Sequence, residues 1–320
     1  VWVVVGCSAF SSVEGMPPDT VPEPLEKLVP QRLLGLAHAP EVHKELKLSD
    51  RQVSGLEALF AETDGTWFRS RNLPFEQQYP IIEQLEQQLL RWFAANASTE
   101  QRKRLGQLEL QSQSVRMLLR GDVKRHLQLD PSQQARFVEL AKRTNEAERH
   151  LRTASKEGEA SEELSENLRR SATSERAALK DVLRPEQHKK LWELLGQPFD
   201  TSQLRRVYPM APEFVAVKQW LNSEPLTMAK LRGKVVLVHF YAFQCHNCHA
   251  NFDVYRRWHK ELRERGVVVV GIQTPETTRE RDPAQVKAAA ADQDLQFPIL
   301  IDLGSENWKA WGNNVWPTVY

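Results

Sequence analysis

The run Gly233-Lys234-Val235-Val236-Leu237-Val238-His239-Phe240-Tyr241, followed closely by Cys245-His246-Asn247-Cys248 and an amphipathic stretch, constrains this chain more than any other feature. A short unbroken run of β-branched and aromatic residues makes a buried strand. From Ala250 to Arg265, the side chains Phe252, Tyr255, Trp258 and Leu262 recur on one face, which predicts a helix. A Cys-x-x-Cys where strand gives way to helix has a chemical use. The first thiol sits at the helix N-terminus, where free backbone N–H groups stabilise a thiolate. The second lies one turn along, close enough to open or close a disulfide. Cys245 is therefore expected to be the attacking nucleophile and Cys248 the resolving thiol. His246 and Asn247, between them, are expected to tune the thiolate and its redox poise.

Two further strands are predicted, Val267 to Ile272 and Phe297 to Asp302, with a helix over Asp282–Asp292 and a helical turn from Trp308. Strands alternating with helices predict a mainly parallel sheet covered on both faces.

This half of the chain resembles the thioredoxin fold, in its TlpA/ResA-like branch, and within that branch DipZ-like thioredoxin domains. The resemblance rests on four blocks in order: Gln244 to Cys248, Thr274-Pro275-Glu276, Phe297 to Asp302, and Trp308 to Tyr320. It covers about residues 214–320. It implies an enzyme, a thiol–disulfide oxidoreductase that needs no cofactor and holds no metal. Its partners would be disulfide-containing or dithiol protein substrates and an upstream membrane or periplasmic thiol electron donor. It implies that Pro317 is a cis proline facing the cysteines, with Trp316, Pro317 and Thr318 against a bound polypeptide that pairs as an added strand. Related domains often carry a buried acid six residues before the first cysteine, and here that position is His239. His239 either assists proton transfer to the resolving thiol with a pKa nearer neutrality, or is a satisfied core histidine. The family continues with a further strand and usually a helix, so the domain is expected to be C-terminally incomplete.

The preceding half has a different period. From Pro30 to about Pro198 it is rich in Gln, Glu, Leu, Arg and Lys, with apolar residues at helical spacing. Glu41 to Gln52 matches Asp122 to Gln133, and Thr99 to Leu105 matches Pro185 to Leu191, so two helical units are expected in tandem. Ser49, Ser98 or Thr99, and Asp130 are predicted N-caps, and Pro131 suits a first helical position. The pattern Leu-x-Leu-Ser/Asp-x-x-Gln resembles Spy/CpxP-like helical repeat proteins. His38, His43, His126, His150 and His188 are scattered and read mostly as solvated. Gly196 and Pro198 close the last helix.

The expected architecture is multi-domain. Residues 1–29 form a signal-peptide remnant and tether, 30–198 an all-α domain, 199–213 a linker, and 214–320 an α/β thioredoxin-like domain. Val4-Val5-Gly6-Cys7 resembles a bacterial lipobox, in which Cys7 would be lipidated. That places the protein in the cell envelope or periplasm, touching membrane only through the lipid anchor.

Composition narrows the alternatives. A net charge of +1 gives no field toward nucleic acid, and three cysteines exclude a disulfide scaffold and a four-thiolate zinc site. No apolar run reaches the ~18 residues of a transmembrane helix. Two rival functions remain from other classes. The helical half could define a periplasmic binding or chaperone-like module served by an accessory redox domain. Cys245 to His249 also fits Cys-x-x-Cys-His, the attachment signature of c-type haem.

Overall fold

The computed structural model describes residues 25–215 and 219–320; the lipobox-like segment with Cys7 lies outside the described residues. Nine helices come first among them: α1 (Leu33–His38), α2 (Pro40–Glu45), α3 (Asp50–Ser70), α4 (Phe75–Asn96), α5 (Thr99–Gln113), α6 (Gly121–Leu127), α7 (Pro131–Glu157), α8 (Glu162–Val182) and α9 (Pro185–Leu195). The sheet domain follows as β1 (Trp220–Leu221), β2 (Val235–Tyr241), α10 (His246–His249), α11 (Phe252–Leu262), β3 (Val267–Gln273), α12 (Pro283–Asp292), β4 (Ile299–Ile301), α13 (Glu306–Ala310) and β5 (Thr318–Val319).

The matched helical segments share one hydrogen-bonding device. Ser49 caps α3 in a capping box with Gln52. The spare amide of Gln52 donates to Asn96 O (2.7 Å) and to Gln101 Oε1 (3.0 Å), while Gln101 is itself capped by Ser98 and donates back to Gln52 Oε1. Each glutamine thus closes its own helix start and ties it to another. Gln133 and Gln187 form the same reciprocal pair at 2.8 and 3.0 Å, with Asp130 as the cap and Pro131 in the first turn. Lys47 and Gln128 both take the left-handed backbone just before these caps (φ 51° and 54°).

The described residues divide into two compact units: 25–30 with 114–192, and 31–113 with 193–320. This division crosses the expected boundary at 198, because α1–α5 group with the sheet. The reason is visible in one side chain. Phe68, near the end of α3, is 3% exposed and sits in a cluster with Val238, Phe240, Val270, Ile272, Leu300 and Trp311. Its ring meets Trp311 edge-on at 5.3 Å and Tyr320 at 5.2 Å. Asn72 Nδ2 adds hydrogen bonds to the Tyr320 hydroxyl (2.7 Å) and Gly312 O (3.1 Å). The expected linker, 199–213, is also packed. Phe199 and Leu204 join the α1–α5 core, and Met210 N donates to Asp64 Oδ2 at 2.9 Å.

Two histidines read as solvated are core residues of this unit. His38 is fully buried, with Nδ1 2.7 Å from Leu34 O and Nε2 2.7 Å from Asp64, and His43 lies 2.6 Å from Ala37 O. His126 and His150 are exposed and His188 is half-buried.

The sheet order is β1-β4-β3-β2-β5. The inner strands β2, β3 and β4 are parallel, and both edge strands, of two residues each, are antiparallel. One face carries Leu237, Tyr241 and Val269 against Phe252 and Tyr255 of α11. The opposite face carries the Phe68 cluster. Gly271 has no room for a side chain: a Cβ there would lie 2.9 Å from the Phe297 ring and 3.1 Å from that of Tyr241.

Because Phe68 is a core residue of the sheet, Phe68→Ala should cost about 3–5 kcal/mol in chemical denaturation of the whole chain. A loss below about 1 kcal/mol would show that α3 is dispensable to the sheet.

Candidate active site

The chain leaves the sheet at Tyr241 and reaches Cys245 in one tight turn, Cys245 N donating to Ala242 O at 3.2 Å. Cys245 is the N-cap of α10 in extended conformation (φ −72°, ψ 112°). Its carbonyl accepts from Cys248 N (3.1 Å) and His249 N (3.3 Å), so the second cysteine stands one turn further on. Both thiols are free. Cys245 is 9% exposed and Cys248 is fully buried. Burial, and after it hydrogen bonding to Cys245, pushes the Cys248 thiol well above the ordinary cysteine range. The pair is asymmetric: Cys245 retains a little exposure, and Cys248 has none and holds its proton more tightly.

Two buried carboxylates build the loops around the pair. Glu280, fully buried, accepts from Gln244 N (2.7 Å), Glu276 N (2.7 Å) and Thr277 N (2.8 Å). The Thr277 hydroxyl donates to the Gln244 side-chain oxygen at 2.6 Å. Asp302 accepts from the backbone N–H groups of Glu306, Asn307 and Trp308 and from the Thr274 hydroxyl. Sequence reading missed Glu280, because an acid between Arg279 and Arg281 looks like surface charge. Its nearness to the Thr274-Pro275-Glu276 block was the available signal.

The Trp316–Pro317 peptide bond is cis. Trp316 is half-buried against the cluster that includes both cysteines and stacks on Trp308 with ring centroids 4.0 Å apart. Its indole nitrogen is buried without a hydrogen-bond partner. Thr318 lies on β5 opposite Phe240 and donates to Val315 O. Cys245, Cys248 and Trp316 therefore share one cluster, with Pro317 next to Trp316. His246 and Asn247 are exposed on α10. His249 places Nε2 2.6 Å from Phe243 O, so its ring N–H is committed to a backbone carbonyl. Serving a haem iron through that nitrogen would require breaking this bond.

His239 matches neither expectation. It is fully buried on the Tyr241 face of β2, its ring 4.4 Å from that of Tyr255 and 5.3 Å from that of Tyr241. Both ring nitrogens lack a partner, so it is not a satisfied core histidine. Burial holds its pKa down at about 3, not near neutrality. The imidazole is neutral, and the low-dielectric aromatic cluster is the cause. Gln273, on the same face, is likewise buried with both amide atoms unpartnered.

The unfolded chain titrates this histidine near its ordinary value, about 6.5, so between pH 6.5 and 3 the unfolded state binds more protons than the folded one. Stability should therefore fall as pH drops through that window, by up to about 1.4 kcal/mol per pH unit from this group. His239→Phe removes two unpaired polar atoms and should flatten that dependence with equal or greater stability at pH 7. Denaturation midpoints at pH 4, 5.5 and 7 check this; an unchanged slope would contradict it.

Residues 207–320 match the family model described as the AhpC/TSA family. Protein DipZ of Mycobacterium bovis is 34% identical over 113 residues, which cover 34% of this chain and 16% of DipZ. Thiol-disulfide oxidoreductase YkuV of Bacillus subtilis is 28% identical over 109 residues, covering 34% of this chain and 73% of YkuV. Thiol-disulfide oxidoreductase ResA of Bacillus cereus is 25% identical over 122 residues, 38% of this chain and 66% of ResA. A solved thioredoxin-like superfamily protein aligns at 26% identity and a TM-score of 0.32, covering 34% of this chain and 75% of its own. The chain thus spans a small part of DipZ. The protein joins a helical N-terminal region to a thioredoxin-like domain at residues 207–320.

Proposed function

We propose that the chain is a thiol–disulfide oxidoreductase that exchanges disulfides with protein substrates through Cys245 and Cys248. The observation that carries this reading is the asymmetry of the pair. Cys245 stands at a helix N-cap and keeps 9% of its surface exposed, and Cys248 is fully buried one turn behind it. The similarity to DipZ, YkuV and ResA supports it.

The Cys245 thiolate attacks one sulfur of a substrate disulfide. A Cys245–substrate disulfide forms, and the other substrate sulfur leaves as a thiolate and takes up a proton. Cys248 then loses its proton and attacks Cys245 Sγ, which releases the second substrate thiolate and leaves a Cys245–Cys248 disulfide. Two electrons pass from the protein to the substrate, and the reverse sequence oxidises a substrate dithiol. Burial of Cys248 keeps it a thiol until Cys245 has reacted, so the first attack belongs to Cys245. Trp316 and Pro317 form the wall against which a substrate strand lies beside Cys245. We place the protein in the cell envelope, held by a lipid on Cys7 and recharged by an upstream thiol donor. The lipobox-like Val4-Val5-Gly6-Cys7 supports that placement.

Single-cysteine variants separate the two roles. Cys248→Ser should accumulate a mixed disulfide between Cys245 and a disulfide-bonded substrate such as insulin, visible as an adduct in intact mass. Cys245→Ser should form no adduct and lose turnover. Adduct formation through Cys248 in the Cys245→Ser protein would contradict the assignment.

A further inference from the structure

We infer that Glu280 is a positioning residue of the exchange site: its buried carboxylate clamps the turn that carries Cys245 to the loop of Glu276 and Thr277, and so fixes how Cys245 presents its sulfur. This deepens the exchange reading above and rests on it.

The geometry is unusual for an acid. An ionised carboxylate only accepts, and it has room for about four hydrogen bonds. Glu280 spends both oxygens on backbone N–H groups of two separate loops: Oε1 on Gln244, and Oε2 on Glu276 and Thr277. Gln244 is the residue directly before Cys245. The flanking arginines do not compete for the carboxylate: Arg279 donates to the Gln285 side chain and Arg281 to Leu303 O. A second tie runs parallel to the first, from the Thr277 hydroxyl to the Gln244 side chain. Charge-assisted bonds of this length are worth about twice neutral ones, and leaving three buried N–H groups unmet is costly. The clamp therefore ties the Cys245 turn to a second loop, beyond the turn's own Cys245 N to Ala242 O and His249 Nε2 to Phe243 O bonds.

Glu280→Gln keeps the shape but loses the charge, and it turns an N–H donor toward backbone donors. Three readings on the full chain test the assignment. Amide hydrogen exchange at Gln244, Glu276 and Thr277 should accelerate at least tenfold in Glu280→Gln, while β3 amides stay protected. In glutathione buffers the equilibrium is dithiol plus GSSG giving the Cys245–Cys248 disulfide plus two GSH. Its constant should move fivefold or more from the wild-type value in Glu280→Gln. Thr277→Val, which breaks only the second tie, should accelerate exchange at the Gln244 amide with a smaller effect on the equilibrium. Val286→Ala, a core truncation in α12, should lower stability and leave the constant within twofold of wild type.

If the amides are released and the constant stays within twofold, Glu280 only supports the fold and the inference is overturned. If the wild-type chain shows no reversible couple, the exchange reading has failed, and the rate of Cys245 alkylation by iodoacetamide then decides the clamp by itself. A fivefold or greater change in that rate in Glu280→Gln upholds the clamp, and a smaller change overturns it.

Discussion

The parallel pairing of β2 with β3 is the constraint from which the rest of the site follows. Val235 faces Val267, and the register continues to Tyr241 facing Gln273, so both strands end level. Two loops must then leave the same edge side by side, and Thr274 N donating to Tyr241 O fixes the first step of one against the other. One loop carries Cys245 and Cys248. The other carries Glu276, Thr277 and Glu280, whose carboxylate reaches back to the first. β5 pairs with the outer side of β2 and brings the Trp316–Pro317 bond alongside. The register is held by apolar side chains on both faces, each worth about 1.5–3 kcal/mol when fully buried. A slip of one residue would turn both faces inside out.

How much of this could be read from sequence depends on whether a residue's role shows in its local pattern. The strand, the Cys-x-x-Cys and the helix after it were legible because the hydrophobic period changes there. The central strands were legible because they are runs of β-branched residues. The edge strands were not, since two residues carry no period and Trp220-Leu221 and Thr318-Val319 are strands only through their partners. Glu280 and the pair His38 and Asp64 were illegible for a different reason. Polar residues among charged neighbours look solvated, and only the fold brings their partners close. His239 was visible as an exception to a family pattern, but its missing hydrogen bonds depend on residues from α11 and β3.

The division into units shows the same limit on a larger scale. Composition changes near residue 200, which suggests a boundary there. The compact units instead split the helical region, because Phe68 near the end of α3 and Asn72 just beyond it join the sheet through Trp311 and Tyr320. A single buried aromatic contributes several kcal/mol, enough to decide which neighbours fold together and too local to alter composition. The reciprocal glutamine pairs recur in both units, so a device repeated in the sequence can serve two different surroundings.

The central claim is that Cys245 and Cys248 form one reversible two-electron couple. It is tested most directly by equilibrating the chain across glutathione redox buffers, quenching by alkylation and mapping both cysteines by peptide mass. The account predicts that the two thiols disappear together into a Cys245–Cys248 disulfide and return on reduction. The ratio of the two forms should change tenfold for about every 30 mV. Cysteines that oxidise independently, pair elsewhere, or stay unlinked in strongly oxidising buffer would contradict it.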